Sequence, residues 1–137
     1  MVDCPDALLV ECFIIENTVT GDGGGIQAID GRPRILESTI ESNLAGDQGG
    51  GVAWISSDEE AFLTIESSQV VSNTSINAGG GLAGSGTAVL IKNSILCDNE
   101  PDQIGGDFTD LGGNDICVDA CPGDFDGDGL VQGSDLG

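Results

Sequence analysis

The chain has 137 residues, with 24 Asp and Glu against 3 Lys and Arg, no His and no Tyr, for a formal charge of −21. Such a field repels phosphate and argues against nucleic acid or an anionic membrane surface as partners. The lack of His excludes Ser-His-Asp and Cys-His mechanisms and His-ligated zinc.

High net charge with few aromatics is a common signature of disorder, yet hydrophobic residues make up 39% of this chain. Its 23 glycines imply frequent turns rather than a solvated coil. No apolar run approaches the roughly 18 residues that span a membrane, so membrane insertion is not expected. The acidic start, Met1 to Asp6, lacks the basic and apolar regions of a signal peptide. Five Cys without a His suggest an oxidising compartment, and the odd count leaves at least one thiol unpaired within the chain.

In chain order, one template recurs four times. It begins with an aliphatic (Leu9, Ile35, Ile65, Ile91), followed by a small residue (Cys12, Ser38, Ser68, Ser94). A second aliphatic comes two residues later (Ile14, Ile40, Val70, Leu96), and an asparagine three residues after that (Asn17, Asn43, Asn73, Asn99). Glycine triplets Gly23–Gly25, Gly49–Gly51 and Gly79–Gly81 follow at offsets of 26 and 30, with Gly105-Gly106-Asp107 as the fourth copy. An aliphatic or aromatic closes each unit: Ile26, Val52, Leu82 and Phe108. The longer interval reflects a four-residue insertion around Ser57-Asp58-Glu59-Glu60.

Within each unit the inward positions form three short period-two runs, such as Pro33 and Ile35, Ser38 and Ile40, and Val52 and Trp54. The runs are β-branched and broken by glycine too often for helix, and the turns between them are not hairpin signals. The expected fold is therefore all-β: a right-handed parallel β-helix of about four rungs, three short strands per rung, each strand about 4.8 Å from its equivalent in the next. Residues 1–116 form this unit and residues 117–137 a short calcium-loop tail. Glycine then supplies positive φ at the corner before the third strand. The asparagines would form an amide ladder along the axis, and the serines a weaker one. Trp54 falls beside Ala28 and Gly84 of the adjacent rungs if it points inward; an exposed aromatic is the alternative. Glu37, Glu41 and Glu66 fall on solvated faces.

The four Ile/Val/Leu-x-x-Asn segments, each followed by glycines and an aliphatic, resemble polymorphic outer-membrane protein repeats. That resemblance covers about residues 7–116 and implies a right-handed β-helix in a secreted or surface-exposed bacterial protein. The chain departs from it in having Ile, Val or Leu where Phe is frequent. Residues 101–116 resemble the closing rung of secreted β-helix proteins. Such helices serve as adhesins, passengers and carbohydrate-active enzymes alike, so fold alone does not assign the activity.

The tail carries the one motif with ligand chemistry. From Asp124, acids stand at loop positions one, three, five and twelve (Asp124, Asp126, Asp128, Asp135), with Gly129 at six and Val131 at eight. A hard cation requires six to eight oxygens, and this spacing wraps them round one point. Asp124, Asp126, Asp128 and Asp135 would supply carboxylates, Leu130 its carbonyl, and Gln132 its side chain or a bridging water. Solvated Asp-Gly turns are the alternative; the match at every ligand position favours calcium. Asp at the closing position followed by Leu136 resembles the dockerin variant of the EF-hand, which implies a cohesin-like or cell-surface partner. The exit helix that would begin at Ser134 stops at Gly137 and no second loop is present, so the chain reads as a fragment with weak calcium affinity.

Other signals carry less. Gly79-x-Gly81-x-x-Gly84 matches a dinucleotide fingerprint in letters but lacks the strand–helix context. Asn73-Thr74-Ser75 is a glycosylation sequon whose Asn belongs to the inward ladder. The single Gly112-Gly113-Asn114-Asp115 has the wrong spacing for a calcium coil. Among Cys4, Cys12, Cys97, Cys117 and Cys121, a bridge from Cys97 to Cys117 or Cys121 would clamp the last rung, and Cys12 reads as a buried small residue.

The only cations are Arg32, Arg34 and Lys92. Arg32 and Arg34 could meet an acidic polysaccharide, but pairing with nearby Glu is favoured. The favoured function is a secreted or cell-surface, adhesin-like, non-catalytic scaffold with a calcium-dependent attachment module. The competing function is a fragment of a pectate-lyase-like polysaccharide lyase or a glycoside hydrolase whose catalytic rungs lie upstream. An ice-binding helix ranks last, because outward Thr is irregular.

Overall fold

The computed structural model describes residues 6–85 and 88–117. These residues form seventeen short strands and no helix, wound as a parallel β-solenoid of about four turns. The first turn holds β1 (Leu8–Val10), β2 (Phe13–Ile15), β3 (Thr18–Val19) and β4 (Ile26–Ile29). The second holds β5 (Arg34–Leu36), β6 (Thr39–Glu41), β7 (Leu44–Ala45) and β8 (Val52–Ile55). In the third are β9 (Phe62–Glu66), β10 (Gln69–Val71), β11 (Thr74–Ser75) and β12 (Leu82–Ser85). The fourth has β13 (Ala88–Lys92), β14 (Ile95–Cys97) and β15 (Ile104–Gly105), and β16 (Thr109–Asp110) and β17 (Asp115–Ile116) close the end.

Equivalent strands stack into the three expected faces, ordered β1-β5-β9-β13-β16, β17-β14-β10-β6-β2 and β15-β12-β8-β4. A fourth, narrow sheet (β11-β7-β3) follows the asparagine column, where the sequence predicted only a turn. Its segments are two residues long, too short for a period-two pattern to be visible.

Parallel register makes the apolar template into columns. Leu9, Ile35, Ile65 and Ile91 align on one face, and Ile14, Ile40, Val70, Leu96 and Ile116 on the next. Strand alternation turns these side chains to the axis, and Ile35, Ile40, Ile65, Val70, Ile91 and Leu96 are buried. Removing each from water is worth about 1.5–3 kcal/mol. Trp54 is inward and fully buried, between Ala28 and Gly84 in register. The column closed by Leu82 continues to Ile104, not to the expected Phe108, which is 39% exposed. The last unit is shortened after Asn99, and its fourth glycine copy does not keep the template's register.

The asparagines form the expected ladder. Asn17 Nδ2 donates to Asn43 Oδ1 at 3.0 Å, Asn43 to Asn73 at 3.0 Å, and Asn73 to Asn99 at 3.1 Å. Each acceptor oxygen also takes the backbone N–H of the preceding Asn, at 2.8–2.9 Å. The serine column works differently: each hydroxyl accepts a backbone N–H from the preceding turn (Cys12 N to Ser38 Oγ 3.1 Å, Ser38 N to Ser68 Oγ 3.1 Å, Ser68 N to Ser94 Oγ 3.2 Å). A hydroxyl is too short to reach its equivalent one rung away, so it joins backbone rather than side chains.

Corners use two devices. Gly49 has φ +67°, and a Cβ there would meet Val52 O at 2.5 Å. Gly51 has no positive φ, but a Cβ there would lie 2.6 Å from Gly81 O and 2.9 Å from Asn73 Nδ2. Gly51→Ala is therefore expected to lower stability by about 1–3 kcal/mol, measured by urea unfolding. At two other corners the positive-φ residues are not glycine: Glu11, Glu37, Ser67 and Asn93 before the serine column, and Glu16, Ser42, Ser72 and Asp98 before the ladder. The N–H groups of Glu11, Glu37, Ser67, Asn93, Glu16, Ser42 and Ser72 bond to the next turn, for example Glu37 N to Glu66 O at 3.0 Å and Ser72 N to Cys97 O at 3.1 Å. Those bonds offset the roughly 1–2 kcal/mol that a left-handed residue costs.

The C-terminal end closes itself. Gln103 Oε1 receives Asn99 N and Nδ2 at 3.1 and 2.8 Å, replacing a fifth ladder Asn. Asn114 Oδ1 receives Ser94 N at 2.9 Å, ending the serine column. Asp110 stands in register with Ile91 and accepts Gly112 N at 2.8 Å. A Cys97–Cys117 disulfide, Cα–Cα 4.9 Å, then ties β14 to the residue after β17. Of the two partners expected for Cys97, the structure selects Cys117. Cys12 is free and half-buried.

Candidate functional site

The inward half of every turn is taken up by apolar columns and ladders, so chemistry is confined to outward positions, corners and ends. Glu37 and Glu41 are exposed and Glu66 half-buried, on the faces the alternation predicts. Lys92 stands in register beside Glu66.

The four-residue insertion builds the most structured outer feature. Ser56 Oγ accepts Asp58 N at 3.0 Å and donates to Asp30 Oδ1 at 2.9 Å. Asp58 Oδ1 accepts Glu60 N at 2.9 Å within the loop, and the Ser56–Asp30 bond ties the loop to the first turn's corner. Arg32 crosses to it: Nη2 lies 3.7 Å from Glu60 Oε1, Nε donates to Glu60 O at 3.3 Å, and the guanidinium stands 5.5 Å over the Phe62 ring. Arg32 and Glu60, with Asp6, Gly31, Asp58 and Ala61, line an open groove of about 250 Å³. Arg32 is thus paired with Glu, as expected; an exposed pair of this kind is worth at most about 1 kcal/mol. An acidic sugar would have to displace Glu60 and approach Asp58. Arg34 lines a separate shallow groove of about 210 Å³ with Leu36, Glu37, Glu66 and Ser67.

A second cluster lies at the closing end. Cys97 on β14 and Asp115 and Cys117 on and just after β17 bring their ligand atoms within 4.8 Å of one another. The parallel register places Ile95 opposite Asp115 and Leu96 opposite Ile116, so Asp115 and Cys117, the outward positions on either side of inward Ile116, run beside Ile95 and Cys97. Sequence reasoning reached the cysteine pair but not Asp115. Its spacing of two from Cys117 on a strand is the signal that puts both on one face.

The residues of the expected calcium loop, Asp124, Asp126, Asp128, Leu130, Gln132 and Asp135, lie outside the described residues, as do Cys4 and Cys121. No helix among the described residues is long and apolar enough to cross a membrane. Comparison of the chain with protein-family models, with curated proteins and with solved structures found no match.

Proposed function

We propose that this chain is part of a secreted or cell-surface, adhesin-like scaffold, non-catalytic in itself, that is attached through a calcium-dependent, dockerin-like loop at Asp124–Asp135. The observation that carries the reading is the ligand spacing of that loop: Asp124, Asp126 and Asp128 alternate, Gly129 allows the sharp turn, and Asp135 closes the set. The Cys97–Cys117 disulfide supports an extracellular setting, since such bonds persist where the surroundings are oxidising. Charge agrees with the division of labour. Residues 1–97 hold 13 acids and 3 bases on a solvated repeat, whereas residues 98–137 hold 11 acids and no base. Four of those 11 acids have the ligand spacing of the proposed cation site, and one bound Ca²⁺ would bring the formal charge from −21 to −19.

Titration calorimetry of the chain with calcium tests this. One weak site per chain is expected, in the roughly 10⁻⁴–10⁻³ M class of extracellular modules, and it should vanish in Asp124→Ala/Asp128→Ala. Binding that survives the double substitution would remove the loop from the reading. The rival enzyme class has its own observation, the Arg32 groove with Asp58 and Glu60. Release of unsaturated or reducing sugar ends from acidic polysaccharides, abolished by Arg32→Ala, would replace the scaffold with a lyase or hydrolase.

A further inference from the structure

We propose that Cys97, Asp115 and Cys117 form a redox-gated site for a soft divalent cation, zinc foremost, which takes over from the disulfide as the clasp on the last turn. The argument begins with register. β14 and β17 are neighbours in one parallel sheet, so the positions after Leu96 and Ile116 lie side by side, and their sulfurs are already joined. Asp115 is two residues before Cys117 and on the same face, and its carboxylate converges with both sulfurs to within 4.8 Å. Tetrahedral zinc holds thiolates at about 2.3 Å and carboxylate oxygens at about 2.0–2.2 Å. Three such ligands therefore stand within about 4 Å of one another, a distance that side-chain rotations at these positions can reach. Asp115 is exposed and Cys117 half-buried, so a fourth coordination position would be open to solvent.

The chemistry balances. A dithiol reductant transfers two electrons and two protons to the disulfide, becoming a disulfide itself and leaving two Cys thiols. Zinc then displaces both thiol protons, and the ligand set, two thiolates and one carboxylate, leaves a local charge of −1. Without zinc, no bond joins the two thiols across β14 and the residue after β17, so reduction alone should loosen the cap. With zinc the same three side chains are pulled together again. Thiolates select zinc over calcium, which separates this site from the Asp124–Asp135 loop. The inference does not depend on the calcium reading.

The test uses the full chain carrying Cys4→Ser, Cys12→Ser and Cys121→Ser, so that only the proposed pair can supply sulfur. After reduction with a phosphine, cadmium as a zinc probe should produce an ultraviolet sulfur-to-metal charge-transfer band saturating at one ion per chain. The band should be absent from the oxidised chain, persist in excess calcium, and disappear in Cys97→Ser. Asp115→Asn should weaken cadmium binding about tenfold or more while keeping the same band. Zinc should also restore most of the melting temperature lost on reduction. No band in the reduced chain would overturn the site. Unchanged affinity in Asp115→Asn would overturn the three-ligand set, and binding without recovered melting temperature would overturn the clasp.

Discussion

Asn73→Ala is expected to destabilise the solenoid by about 3–5 kcal/mol, read as a fall in the urea midpoint with an unchanged slope. Asn73 is fully buried and has four bonds: its oxygen accepts Asn43 N and Nδ2 at 2.9 and 3.0 Å, and its amide donates to Ile40 O and Asn99 Oδ1 at 3.0 and 3.1 Å. Truncation deprives Asn43 N, one Asn43 Nδ2 proton and Ile40 O of this partner in a dry interior, at a desolvation penalty of about 1–3 kcal/mol each that relaxation only partly relieves. Asn99 Oδ1 keeps the backbone N–H of residue 73. Asn73→Asp should be at least as damaging, because its second oxygen would face two acceptors and no donor. Asn17→Ala is the internal control. Asn17 is exposed on the first turn, and its loss should cost under about 1 kcal/mol. Equal losses at Asn17 and Asn73 would show that the ladder is not what holds the turns.

Trp54→Ala should cost about 3–5 kcal/mol, because the indole is fully buried in register with the small residues Ala28 and Gly84. Trp54→Phe should cost far less than that, although it too removes volume. Trp54 Nε1 is buried without a hydrogen-bond partner among the described residues, so Phe discards a desolvated donor along with the lost packing. Gly84 supplies a sign reversal. A Cβ there would lie 3.2 Å from Val89 Cγ2 and 3.9 Å from Asp107 O, so the space is limited by side chains more than by neighbouring backbone. Gly84→Val should therefore overpack the native core by about 1–3 kcal/mol yet recover part of the loss in Trp54→Ala. Additive effects in the double variant, measured by denaturant unfolding, would show that Trp54 and Gly84 do not share one cavity.

The template was readable because one-dimensional repetition turns a packing rule into a spacing rule. Ile40 recurs as Val70 because both occupy one column, and Asn43 recurs as Asn73 because an amide must reach its own equivalent. Where repetition weakens, so does legibility. Phe108 matched the template's spacing, yet Ile104 takes the place beside Leu82, because the closing unit drops residues once Gln103 substitutes for a ladder Asn. The proposed calcium loop at Asp124–Asp135 rests on ligand spacing alone and lies outside the described residues, so the solenoid neither adds to it nor takes from it.

The amino-acid order alone was enough for the parallel coil, its inward columns, the asparagine ladder and the glycine corners, since each depends on a residue type that few other roles require. Folding in three dimensions chose what local chemistry leaves degenerate. Glu37 and Ser72 take left-handed backbone although neither residue prefers it, because the next turn's carbonyl waits at that corner. Asp115 joins Cys97 and Cys117 only because two strands align at that register. Cys117 pairs with Cys97 for the same reason. A side chain's type limits what it can do, but only its neighbours across turns determine which of those things it does.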